Sequence, residues 1–148
     1  METTLDLTQR PPRSPRARLG GFVLLPRMLD KGRAELAGKN GEYHFDCPLD
    51  QHFLKYTGVD SAKLKEQLAL GLGDGEILAW IHENSTTKYQ PWEISQWSAY
   101  MDQRGPDDLE TKQFFAEILA KLSTTRDDIF TWADLLDLDD FVTFGGKA

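Results

Sequence analysis

Apolar residues along most of this chain recur every three or four positions, which is the period of an α-helix with one buried face. The first such stripe follows a pair of glycines and consists of Phe22, Leu25, Leu29, Gly32 and Leu36. Pro26 lies off this stripe, so it either starts the helix or kinks it within the first turn. Gly38 and Gly41 end the segment.

Start and stop signals predict six further helices. Each begins at a capping residue or at a proline suited to a first turn; the predicted starts are Cys47-Pro48, Asp60, Asp74, Pro91, Asp107 (with Glu110 completing a capping box) and Thr131. Strand signals are weak: residues 43–45 and 141–144 could pair as a short ribbon. The pattern therefore predicts an all-α domain, a single compact bundle of six or seven short helices.

Residues 1–19 differ from the rest because they show no helical period. Pro11, Pro12 and Pro15 fix their own φ angles and disfavour helix in the residues before them. We expect residues 1–19 to form an extended arm rich in proline and arginine, and residues 20–148 to form the helical domain.

Length and composition favour one domain in a reducing compartment. A chain of 148 residues matches a common domain size, and its one cysteine cannot form an internal disulfide. It has no run of 18 apolar residues and no apolar core of a signal peptide near its start, so we expect no membrane partner and a cytoplasmic location. The net charge of −7 argues against nucleic acid as a partner, because that affinity depends on neutralising phosphates.

Charge is distributed unevenly along the chain. Residues 1–39 hold eight basic and four acidic residues, a net charge of +4, whereas the other 109 residues hold nine basic and twenty acidic residues, a net charge of −11. The basic arm is therefore expected to dock on an acidic surface, either of its own chain or of a partner.

The first candidate site is a charged cluster on the first predicted helix, formed by Arg27, Asp30, Lys31 and Arg33. Asp30 is three residues from both arginines and could lie between their guanidinium groups. The cluster has three interpretations: solvated helix pairs, a buried structural network, or a site for an anionic ligand, whose phosphate or carboxylate suits the guanidinium fork. In the third case, an aromatic residue such as Tyr43 or Trp80 would form a wall of the pocket.

Two other clusters contain side chains that can bind metals or act in catalysis. His44, Cys47 and His52 match no standard zinc spacing; a buried structural cysteine is favoured over a reactive thiol with a histidine base. The acidic residues from Asp127 to Asp140 lack the glycine and glutamate of a calcium loop. We interpret them as solvated or arm-facing charge, with Asp127, Asp128 and Asp134 in the first turns of helices. No metal site and no cofactor are expected.

Several segments resemble a family of bacterial proteins catalogued as domain of unknown function 5069. They are Arg13-Ser14-Pro15-Arg16 leading to Leu19-Gly20-Gly21, Pro26 to Ala34, Gly41-Glu42-Tyr43 followed by Cys47-Pro48-Leu49-Asp50, and Asp74 to Ile81. The most specific of them is the Asp-Lys-x-Arg-Ala segment at 30–34. The resemblance spans most of the chain and implies a small, stand-alone, cytosolic bacterial protein. It implies no particular activity, ligand or catalytic residue.

Two functional hypotheses follow. The first is a non-catalytic binding or interaction module, either a homodimer or bound to a protein partner, with its basic arm docked on an acidic helical body. The second is a binding protein or enzyme that holds a small anionic ligand around Arg27, Asp30, Lys31 and Arg33, with Tyr43 nearby. The residues do not decide whether the protein is an enzyme.

Overall fold

In the computed structural model, which describes residues 5–148, the chain forms seven α-helices and one two-stranded ribbon. The strands are β1 (Arg18–Leu19) and β2 (Phe22–Val23), and the helices are α1 (Leu25–Leu36), α2 (Pro48–Thr57), α3 (Ser61–Ala69), α4 (Asp74–Asn84), α5 (Pro91–Gln103), α6 (Leu109–Leu122) and α7 (Trp132–Thr143). The predicted all-α class is therefore confirmed. Residues 1–4 of the predicted arm lie outside the described residues.

The ribbon lies elsewhere than expected. β1 and β2 pair antiparallel around Gly20 and Gly21, both of which have positive φ angles that a glycine adopts at little cost. The predicted pairing of residues 43–45 with 141–144 is wrong, because α7 runs through Thr143. The Thr131 hydroxyl, which accepts a hydrogen bond from the Asp134 N–H, starts that helix.

Helix starts agree with the predicted signals to within a residue. Asp60 and Thr131 cap α3 and α7 as expected, whereas Asp108, and not Asp107, caps α6. Asp74 is the first residue of α4 and does not cap it. Pro26 lies in the first turn of α1 without interrupting it, since that turn needs no N–H from it.

Helix α1 is buried on nearly all sides. Its buried residues are Leu25, Pro26, Arg27, Met28, Leu29, Asp30, Lys31, Gly32 and Ala34. A helix at the centre of a domain buries its polar faces as well as its apolar stripe, and buried charges need partners. The charged residues of α1 must therefore find their counter-ions on the surrounding elements.

Two apolar clusters form most of the core. The larger one joins α1 to α2, α3, α4 and α5, with Phe53, Leu64 and Ile77 fully buried. The smaller one lies between α6 and α7, around Phe115 and Leu138. The α6–α7 pair has its own small core. It covers one side of helices α1 to α5 but leaves a space between itself and them.

The segment before α1 packs against the helical body through arginines. Its ion pairs join Arg13 to Asp30 and Asp74, Arg16 to Asp134 and Asp137, and Arg18 to Asp102. The segment is not extended throughout, since turns occur at residues 7–9 and 15–16. Two residues of the segment itself, Leu7 and Pro15, are buried against the helical body. Within residues 5–148, no helix has the length and apolarity needed to cross a bilayer.

Candidate ligand-binding cavity

A cavity of about 840 Å³ lies between α1 and α2 on one side and α6 and α7 on the other. Its apolar lining comes from Leu7, Pro48, Leu49, Phe114, Ile118, Trp132, Leu135, Leu136 and Phe144. The exposed residues Glu42, His44 and His52 also line it, so the cavity opens to the surface. Its volume and lining are typical of sites that bind small molecules.

One polar group of the cavity is built around Arg27. Its guanidinium donates two hydrogen bonds to Asp140, with Nη1 to Oδ2 at 2.8 Å and Nη2 to Oδ1 at 3.2 Å. The Tyr43 hydroxyl donates to the same carboxylate at 2.8 Å, and the Arg27 guanidinium lies 5.5 Å from the centre of the Tyr43 ring. Burial, reinforced by the Asp140 charge, raises the pKa of Tyr43, so its hydroxyl remains a proton donor at neutral pH.

A second polar group is built around Lys31. Its ammonium lies 3.0 Å from Oδ1 of Asp50 and 3.2 Å from Sγ of Cys47. The other Asp50 oxygen accepts the backbone N–H of Asp46 at 3.0 Å. Burial raises the pKa of Asp50 in spite of the opposing effect of Lys31. Since Cys47 immediately precedes α2, the start of that helix holds the thiol beside the ammonium.

The third polar group is the half-buried Arg104, which follows the last residue of α5. Among residues 5–148 its guanidinium forms no ion pair and no hydrogen bond. His52 on α2 lies near it: the pKa of His52 is lowered by partial burial and by the positive charges of Arg104 and Lys55. This part of the cavity is therefore a region of positive potential.

The charged cluster predicted on α1 is divided between two sides of the helix. At 100° per residue, Arg27 and Lys31 lie about 40° apart, whereas Asp30 and Arg33 project from other faces. Arg27 and Lys31 line the cavity together with Tyr43, and Asp30 and Arg33 line a separate depression beside Asp74. The residues proposed as one site are thus only partly brought together.

The expected pairing of Asp30 with Arg27 and Arg33 is wrong. Asp30 binds Arg13 of the preceding segment instead, with Nη2 to Oδ1 at 3.0 Å. Arg33 pairs with Asp74 at 2.7 Å. On a buried helix each charge reaches a partner on the element that covers it, and this replaces the pairing along the helix surface that an exposed helix would favour.

The candidate histidines and the cysteine lie in the cavity, whereas the candidate Trp80 does not. His44, Cys47 and His52 all line the cavity, and no group of three or more His, Cys, Asp or Glu side chains among residues 5–148 could hold a metal ion. Trp80 packs against the larger apolar cluster and does not line the cavity.

Of the acidic stretch, Asp134 and Asp137 face the arm as expected. Asp140 is the exception, because it is buried against Arg27. Asp127 and Asp128 precede α7 and are not part of a helix.

Sequence reasoning did not single out Arg104 or predict the burial of Asp140. Arg104 belongs to no periodic stripe and no motif, and only its position just before Gly105-Pro106 marks it as the end of a helix. Asp140 could have been found, since it lies four residues from Leu136 and seven from the buried Ala133, on one side of α7.

Comparison with known proteins adds a family and no activity. A search of curated proteins found no match. The family model described as Domain of unknown function (DUF5069) matches residues 9–142, which include every charged group of the cavity described above. Since the match covers most of the 148 residues, the chain belongs to this family of domains of unknown function.

Proposed function

We propose that the protein binds a small amphipathic molecule, with an apolar body and an acidic group, in the cavity between α1, α2, α6 and α7. The observation that carries the proposal is the cavity itself, about 840 Å³ of space that the side chains leave open. An open space of this size with converging polar groups is characteristic of a ligand site.

The apolar side chains that line the cavity favour an apolar ligand. The cavity is lined by Leu49 of α2, by Phe114 and Ile118 of α6, and by Leu135 and Leu136 of α7. A ligand that covers these side chains gains about 25 cal/mol for each Å² of apolar surface removed from water. A ligand with an apolar body, such as a fatty acid or alcohol chain, is therefore favoured over a highly polar one.

The charged side chains that line the cavity favour a ligand with an acidic group. Three cationic side chains line the cavity, Arg27, Lys31 and Arg104, against two acidic ones, Glu42 and Asp139. Arg27 and Lys31 are paired with the buried carboxylates of Asp140 and Asp50, so within residues 5–148 Arg104 is the one of these three cations that remains available to an anionic group. This supports the anionic-ligand hypothesis in part: Arg27, Lys31 and Tyr43 line the cavity, whereas Asp30 and Arg33 lie outside it.

The arm gives less support to an interaction module with a separate partner. Its arginines Arg13, Arg16 and Arg18 pair with carboxylates of the same chain. Leu7 and Thr8 line the cavity. The arm thus forms part of the wall of the proposed binding site, and its charge is largely neutralised by its own helical body.

Cys47 provides a direct test because it is the only cysteine of the chain and lines the cavity. Purified protein is incubated with decanoate, and the rate of Cys47 alkylation is measured together with the melting temperature. A bound ligand should slow alkylation in the folded protein and leave the rate in urea unchanged. At about 100 times the dissociation constant it should stabilise the fold by about 2.7 kcal/mol, which raises the melting temperature by roughly 5–10 °C.

Two tryptophan variants of α6 locate the binding. Ile118→Trp places a larger side chain in the cavity and should abolish both effects of decanoate, while Leu119→Trp changes a neighbour that packs on α7 outside the cavity and should retain them. If the wild-type protein shows neither protection nor stabilisation with decanoate or with the neutral 1-decanol, the proposed function is wrong.

A further inference from the structure

We infer that Arg104 is the residue that binds the acidic group of the ligand, as a guanidinium–carboxylate pair at the end of the cavity formed by α2 and the end of α5. The inference rests on the proposed function and names the group that would give it specificity for an acid. It differs from the sequence-based hypothesis, which placed the anion on Arg27, Lys31 and Arg33.

The two buried cations of the cavity are already neutralised. Arg27 makes two hydrogen bonds to Asp140, and Lys31 pairs with Asp50 at 3.0 Å. An anion that bound either cation would have to displace a carboxylate that is itself buried, or lie beside it at close range. Both processes are unfavourable, because each leaves a negative charge without its counter-ion in a region of low dielectric.

Arg104 has no such competitor. Among residues 5–148 no carboxylate pairs with it, and its guanidinium accounts for no side-chain hydrogen bond. It nevertheless lies against apolar wall residues, since Leu49, Trp132 and Leu136 line the same space. A planar guanidinium with free donors beside an apolar wall suits a carboxylate attached to an apolar chain.

The surroundings of Arg104 hold one carboxylate that is already paired: Asp102 borders the smaller depression that Arg104 also lines, and it lies 3.0 Å from the guanidinium of Arg18. Partial burial lowers the pKa of the neighbouring His52, and two positive charges lower it further: Arg104 and, on the same helix as His52, Lys55. The acidic lining residue Asp139 is influenced instead by Asp140, Arg27 and Glu42. The acidic part of the cavity therefore lies near Tyr43, and the positive part lies near His52.

The test compares two probes of equal chain length, decanoate and 1-decanol, by calorimetry and by protection of Cys47 from alkylation. Arg104→Gln should weaken decanoate binding by about tenfold to a hundredfold, the loss of one charge-assisted pair, and should change decanol binding less than twofold. Arg104→Lys should recover part of the decanoate affinity, because it restores the charge without the guanidinium fork. Arg126→Gln alters net charge equally at an exposed site outside the cavity and should leave both affinities unchanged.

The pKa of His52 tests the geometry separately, first in the absence of ligand and then with decanoate. Arg104→Gln should raise the pKa of His52 in an NMR titration, because it removes one of the two nearby cations, and decanoate should raise it in the wild-type protein for the same reason. If Arg104→Gln weakens decanoate and decanol alike, or leaves decanoate binding intact, the assignment to Arg104 is overturned while the cavity remains a ligand site. If neither probe binds the wild-type protein, the proposed function itself has failed, and this inference fails with it.

Discussion

Replacing Lys31 with methionine should destabilise the fold strongly, because it leaves the Asp50 carboxylate buried without its counter-ion. The side chains of the pair are 4% and 1% exposed, and Nζ lies 3.0 Å from Oδ1. Methionine is unbranched and close to the lysine stem in length, so packing changes little and the substitution removes mainly the charge.

The expected magnitude follows from what remains around Asp50. Breaking one side of a buried ion pair costs about 3–5 kcal/mol. One Asp50 oxygen keeps the hydrogen bond from the Asp46 N–H at 3.0 Å, which places the effect near the lower end, at about 3 kcal/mol. For a domain of this size that corresponds to a melting temperature lower by about 6–12 °C.

The loss in unfolding free energy caused by Lys31→Met should be larger at high pH than at low pH. Burial already raises the pKa of Asp50, and Lys31 opposes that effect. Without Lys31 the folded-state pKa rises further above its unfolded value. A carboxyl of this kind contributes stability that is present below its unfolded pKa and lost as pH rises through the folded pKa. The free energy of unfolding of Lys31→Met should therefore fall furthest below wild type at pH 8 and approach it at pH 5.

Urea denaturation followed by circular dichroism at both pH values measures this difference. Lys65→Met is the matched control, since Lys65 and Glu35 form an ion pair whose side chains are 31% and 30% exposed. It should cost less than about 1 kcal/mol. A loss below 1 kcal/mol for Lys31→Met, equal at pH 5 and pH 8, would refute the conclusion that the pair is buried and desolvated.

Three other substitutions have expected outcomes that urea denaturation can check. Gly58→Ala should cost about 2 kcal/mol, because its φ of +73° disfavours a side chain and the new Cβ would collide with the Thr86 hydroxyl. Tyr43→Phe should cost about 1–2 kcal/mol through the lost hydrogen bond to Asp140. Burial raises the pKa of Tyr43, so an alkaline titration followed by phenolate absorbance should show one late-ionising tyrosine in the folded wild-type protein that is missing from the variant. Arg13→Gln, at a side chain 41% exposed, should cost about 1 kcal/mol at low ionic strength and less in 1 M NaCl.

The seven helices were predictable because their signals are local. A stripe with helical period, a capping side chain such as Thr131 and a glycine after the last turn all act within a few residues. The ribbon was not predictable, since its strands are only two residues long and depend on the turn at Gly20 and Gly21. Such short strands have no period of their own.

The cavity was predictable only in part, because it depends on pairings between distant residues. The sequence placed Arg27 and Lys31 together on the first helix, in one cluster with Asp30 and Arg33, but 113 positions separate Arg27 from Asp140. No local rule connects those two residues. The same holds for the space itself, which exists because α6 and α7 form their own small core around Phe115 and therefore do not fill the gap beside α1.

The two ion pairs beside the cavity support a role beyond stability. A buried ion pair is often no more stable than apolar residues of similar volume in the same place, and replacing both partners together can even stabilise a protein. Lys31 and Asp50 could thus be exchanged for methionine and leucine with little loss, and so could Arg27 and Asp140 for an apolar pair. Stability alone therefore does not account for two such pairs at one wall. A ligand that makes polar contacts with Arg27 and Lys31, the members of the two pairs that line the cavity, would account for them. This explanation predicts that the double replacement Lys31→Met with Asp50→Leu recovers most of the unfolding free energy that Lys31→Met alone loses. The same double replacement should change which molecules protect Cys47 from alkylation.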